Sequence, residues 1–112
     1  MASAQERLIA DRDGILALVA SLDADWHSVV NASVQANVDD EHDPEGATIA
    51  FERARIESSL ARARAHLADI EDALRRLDDG TYGVCERCGG AIADGRLQAR
   101  PSTRTCITCA GT

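Results

Sequence analysis

Four cysteines, Cys85, Cys88, Cys106 and Cys109, stand as C-x2-C-x17-C-x2-C near the end of a 112-residue chain that has no other cysteine. Two C-x-x-C knuckles at this separation suit one ion held tetrahedrally by four thiolates, and zinc is the metal expected for that donor set. Each knuckle turns two sulfurs toward one point while nearby backbone N–H groups donate to them, and Gly89 and Gly90 supply backbone freedom after the first pair. Four protein ligands leave no open position for water or substrate, so the site is expected to be structural and the chain not an enzyme. Two other readings compete. A redox C-x-x-C opens a helix after a strand in a βαβ setting, which this sequence lacks, and paired disulfides are disfavoured in a reducing compartment.

Between the knuckles, Asp94-Gly95 lies between short apolar segments and suggests a small hairpin turn joining two strands at most. Tyr82, Ile92, Leu97 and Ile107 are the candidates for a miniature core, too small to hold the module without its metal.

Upstream the pattern is helical. Ile15, Val19, Leu22, Trp26, Val29 and Ser33 recur at alternating spacings of 4 and 3 and predict one helix over 4–36, continuous through Gly14. Ile49, Ile56, Leu60, Ala63, Leu67, Ile70, Leu74 and Leu77 repeat the signal over 49–77, in an Ala-rich segment whose outer face carries Glu and Arg. The stretch QANVDDEHDPEG between them has five acids, a proline, a glycine and no apolar period, and reads as a loop. So short a connection makes the helices antiparallel, each arm extending about 45–50 Å at the helical rise. Folding the chain about position 41 or 42 sets Trp26 across from Ile56 to Leu60 and Val19 across from Ala63 to Leu67. Trp26 then fills space in the seam, whereas His66 falls outside it, on the solvated surface. The fold class is thus all-α: an antiparallel two-helix coiled-coil hairpin, residues 1–80 with an acidic tip at 37–46, followed by a four-cysteine zinc finger over 81–112.

Composition bounds the partners. There are three aromatic residues and twenty alanines, and nineteen acids against twelve basic residues, all arginine, leave a net charge of −7. That argues against a protein tracking the phosphate backbone of nucleic acid, and Arg87, Arg96, Arg100 and Arg104 have no interleaved aromatic platform. Residues 37–48 alone sum to −5, so the projecting end of the hairpin is its most charged place and fits a basic partner or cationic cavity. No apolar run is long enough to span a membrane and the first residues mix charge with apolar groups, so the chain is expected to stay in the cytoplasm.

The residues Tyr82-Gly83-Val84-Cys85-Glu86-Arg87-Cys88-Gly89-Gly90, then Ile92, Arg96-Leu97-Gln98-Ala99-Arg100-Pro101 and Cys106-Ile107-Thr108-Cys109, resemble the DksA/TraR family. The resemblance covers the zinc module in detail, and the helical hairpin agrees in length, position and acidic tip. It implies a bacterial transcription regulator that inserts its two-helix coiled coil into the secondary channel of RNA polymerase, without specific contact to promoter DNA. In the family the tip carries D-x-x-D-x-A. Here Asp40 and Asp43 have the acid spacing but Glu45 follows, whereas counting back from Cys85 places Ala47 at the alanine and Glu45 at the second acid. Asp40, Asp43, Glu45 and Ala47 are therefore the expected partner-binding tip, although Asp43 before Pro44 also reads as a helix N-cap with proline at the first helical position. The alternatives are a transcript-cleavage or elongation factor in the same channel, or a zinc-thiolate redox sensor. A monomer is expected, with a weak dimer through the Ala-rich seam as the variant.

Overall fold

An Ala-rich chain with an apolar residue every third or fourth position has little alternative to long helices. The computed structural model describes residues 2–39 and 44–110, and their side chains except those of Ser33, 35–39 and 44–46. Among the described residues it contains α1 (Ala4–Asp39), α2 (Pro44–Asp79), α3 (Asp94–Ala99) and α4 (Ile107–Ala110), with no strand beyond a single bridge between Val84 and Ala91. The all-α expectation holds.

Both long helices outrun the periodic pattern. α1 starts where expected because Ser3 caps it: its hydroxyl accepts the Glu6 backbone N–H at 3.1 Å, a cap that periodicity does not reveal. It passes through Gly14 unbroken and continues to Asp39, while α2 begins at Pro44. The helices therefore take in 35–39 and 44–46 of the expected loop, and residues 40–43 lie outside the described residues. Nothing in Gln35–Asp39 breaks a helix, and proline is tolerated at a first helical position because its missing N–H would have no partner there. α2 ends at Gly80, whose φ of 81° lets the Thr81 N–H return to the Arg76 carbonyl at 2.9 Å.

The chain divides into two compact units, one of residues 15–65 and one of residues 1–14 with 66–112. In the first, Trp26 Nε1 donates to Glu57 at 3.0 Å and Arg64 pairs with Asp23 at 3.4 Å, which makes the helices antiparallel and sets Trp26 against the stretch the folding register predicted. Ile56, Leu60 and Ala63 are buried, whereas Ile15, Val19, Leu22, Trp26 and Val29 are half-buried. Two helices alone cover each other's seam only in part. In the second unit Leu8, Ile70 and Ala73 are fully covered, and Ala73 is a core residue the seam pattern passes over. His66 is exposed, as expected.

The hairpin expected at Asp94-Gly95 is not formed. Asp94 opens α3, and Gly95 is not among the glycines with positive φ, which a tight two-residue hairpin turn would need. The helix carries Leu97 into the core and leaves Arg96 free to reach Thr105, contacts that outweigh the local turn preference. Among the described residues the only strand-like pairing lies earlier, at Val84 and Ala91.

Candidate metal centre

The first knuckle is built by backbone bonds around Gly89. Its φ of 73° allows its N–H to return to the Cys85 carbonyl at 2.9 Å, the Cys85 N–H donates to Gly90 O at 2.8 Å, and the Gly90 N–H donates to Cys88 Sγ at 3.4 Å. The second knuckle is helical: the N–H groups of Cys109 and Ala110 both reach the Cys106 carbonyl, at 3.1 and 3.0 Å. Two bonds tie the knuckles together: the Glu86 N–H donates to Arg104 O at 2.9 Å, and Arg87 Nη1 donates to Cys109 O at 3.4 Å.

This brings all four expected ligands together. Their Sγ atoms lie within 4.8 Å of one another, and those of Cys88 and Cys106 are 3.8 Å apart. A tetrahedron with sulfurs about 2.3 Å from its centre has edges of about 3.8 Å, so the donor set fits one zinc ion. Cys85 is buried, Cys106 and Cys109 are half-buried and Cys88 is exposed.

The thiols have unequal acidity in the metal-free chain. Backbone N–H groups of Cys88 and then Cys106 lower the Cys85 thiol to about 6, and the Cys109 N–H lowers Cys106. Cys109 is pushed up to about 12, chiefly by its hydrogen bond to Cys106 and then by burial, because four sulfurs this close cannot all ionise without a cation. A bound dication supplies the missing charge, holds all four as thiolates and ties the two knuckles into one module.

The core beside the cluster is Cys85, Ile92 and Leu97, packed with Tyr82, Cys106 and Cys109. Ile107 is not part of it: at 74% exposure it faces solvent, because Cys106, just before α4, and Cys109 within it pack inward and the first residue of the helix is turned away from that side.

A set of polar ties around the cluster escaped the sequence reading. Tyr82 donates its hydroxyl to Pro101 O at 2.8 Å, Arg96 donates to Thr105 O at 2.9 Å, and Arg76 Nε to Asp72 at 2.9 Å. Burial works to raise the Asp72 carboxyl, but hydrogen bonds from Arg76 and Arg75 and the charge of Arg104 outweigh it and hold the group below its ordinary value. Arg96 and Arg104, read from sequence only as a sparse basic patch, spend their guanidinium groups on contacts within the chain. Asp40 and Asp43 lie outside the described residues, as does the side chain of Glu45, and Ala47 is an exposed residue of α2.

Comparison with known proteins agrees with this site. Residues 80–112 match the model of the prokaryotic dksA/traR C4-type zinc finger. An uncharacterized protein of Aquifex aeolicus is 52% identical over 46 residues, 41% of this chain and 32% of that protein. The RNA polymerase-binding transcription factor DksA of Escherichia coli is 42% identical over 48 residues, 43% of this chain and 32% of that protein. The matched stretch thus spans about a third of these curated relatives. The structure of transcription factor DksA2 from Pseudomonas aeruginosa is similar with a TM-score of 0.58 and 26% identity, over 93% of this chain and 80% of that one. With four cysteines gathered for one structural zinc and two antiparallel helices before them, residues 80–112 carry a zinc finger of the prokaryotic dksA/traR C4 type and the chain as a whole is similar in fold to DksA2, as its motifs implied.

Proposed function

We propose that the chain is a cytoplasmic, monomeric, non-enzymatic transcription regulator that binds bacterial RNA polymerase and places its acidic segment in the polymerase secondary channel. The observation that carries this reading is the extent of the likeness to DksA2, which takes in both long helices as well as the zinc module. Charge supports it. A channel that admits anionic nucleotides is lined with positive potential, and a partner of net charge −7, with −5 in residues 37–48, is attracted to it while being repelled by promoter DNA. In this reading residues 1–80 form the entering arm with its tip at 37–46, residues 81–112 form a module that rests outside, and Asp40, Asp43, Glu45 and Ala47 act at the tip.

Two measurements test the proposal. Zinc-loaded protein is expected to be captured by polymerase at micromolar concentration, and failure to bind either core enzyme or holoenzyme removes the reading. Asp43→Asn separates function from helix capping, since asparagine caps a helix nearly as well but carries no charge. Binding is expected to persist while the effect on in vitro transcription weakens. Wild-type activity in this variant transfers the role to Asp40 and Glu45.

A further inference from the structure

The segment 100–105 leads from α3 to the zinc ligand Cys106, and none of its side chains is fully buried. Polar anchors hold it instead. Arg76 of α2 donates to the carbonyls of Thr103 and Ser102, at 3.4 and 3.5 Å. Arg76 is aimed by Asp72, whose Oδ2 accepts its Nε at 2.9 Å and also pairs with Arg104 Nε at 3.1 Å. Asp69 takes a terminal nitrogen of Arg104 at 3.1 Å, and the Arg104 carbonyl accepts the N–H of Glu86, the residue after Cys85. From α3, Arg96 holds Thr105 O at 2.9 Å and Thr103 Oγ1 at 3.2 Å.

The geometry points to Asp72 as a positioning residue for the zinc centre: by aiming Arg76 and Arg104 it fixes the segment that delivers Cys106. A ligand whose backbone is already held loses little freedom when the metal binds, and it returns to the ion quickly after each transient dissociation. Without Asp72, Arg76 loses its orienting partner and Arg104 keeps only Asp69, so Cys106 gains freedom although no sulfur has been touched. Arg75 supplies a control, because it bonds the other oxygen of the same carboxylate at 2.8 Å but is 69% exposed. The inference rests on the zinc assignment and is independent of the polymerase reading.

The test measures zinc transfer from the loaded full-length chain to an excess of chromogenic chelator at fixed pH, with far-ultraviolet circular dichroism on the same samples. Outer partners of metal ligands change metal affinity by roughly 10- to 100-fold, and Asp72→Ala and Arg76→Ala are expected at the lower end, releasing zinc about tenfold faster with helix content unchanged. Asp72→Asn still accepts from Arg76 and falls between these variants and wild type, while Arg75→Ala stays at the wild-type rate. The double variant Asp72→Ala with Arg76→Ala releases zinc no faster than Asp72→Ala alone, since both act on one segment. Wild-type release from Asp72→Ala overturns the proposal, and so does equal acceleration by Arg75→Ala, which would make the effect one of helix charge. Should Asp72→Ala lose helix, Asp72→Asn and Arg76→Ala decide, and wild-type rates in both overturn it.

Discussion

Residues 15–65 and the unit around the cysteines hold themselves together by different chemistry. The first relies on one apolar seam. Its deepest side chains, Ile56, Leu60 and Ala63, all come from α2, and its polar ties, such as Arg64 with Asp23 and Trp26 with Glu57, lie in solvent where each contributes little. The second has Leu8, Ile70 and Ala73 beneath it, but its cysteine module has only Ile92 and Leu97 as buried apolar residues besides Cys85. There, hydrogen bonds to backbone carbonyls and a sulfur cluster do what a larger core would do elsewhere. A helix pair can lose one contact and adjust along its length, whereas a module closed through one ion cannot.

The largest effect is therefore expected on the metal. Cys106→Ser leaves three thiolates and a chelator removes the ion itself, and either way the remaining core is too small to fold alone, since structural zinc contributes on the order of 10 kcal/mol in isolated fingers. Zinc content should fall below stoichiometric while most helical circular dichroism remains. Stoichiometric zinc with an unchanged melting temperature would contradict a four-thiolate site. Next comes Ile56→Ala, which empties the most buried position of the helical unit, with 1% exposure. It should cost about 2–4 kcal/mol in denaturant unfolding and leave zinc content intact. Zinc loss in this variant would erase the distinction between the two regions.

A smaller change is expected from Gly89→Ala. The left-handed backbone at φ 73° penalises a side chain by about 1–2 kcal/mol, yet the added Cβ meets open space. The knuckle should keep its zinc and release it faster. Smallest is Trp26→Phe, which keeps an aromatic ring in the seam and deletes the N–H that reaches Glu57. About 0.5 kcal/mol or less is expected for so exposed a bond, read as a shift in the denaturation midpoint. A loss of several kcal/mol would show that the unit depends on that polar tie after all.

Much of this was legible beforehand, and the exceptions share a cause. Helix existence, antiparallel register and the position of Trp26 follow from period and loop length, because a seam must face a seam. The four zinc ligands follow from spacing alone, since C-x-x-C geometry is local and only the joining of two knuckles is long-range. Asp94-Gly95 misled because its turn preference is a weak local term, overruled by what Leu97 and Arg96 gain from a helix. Ile107 misled because hydrophobicity says a residue can be buried but not whether its helix face is already taken by Cys106 and Cys109.

The amino-acid sequence by itself determined two long helices, their pairing and the identity of the metal site, all of which depend on periodicity, spacing and residue chemistry. Tertiary structure alone decided which arginines are tied to distant parts of the chain. Asp72, Arg76, Arg96 and Arg104 look like ordinary solvated charges along the chain. Only when residues 102–105 are brought beside α2 and α3 do the guanidinium groups meet backbone carbonyls and a shared carboxylate, since such partners lie up to 32 positions apart and no local rule links them.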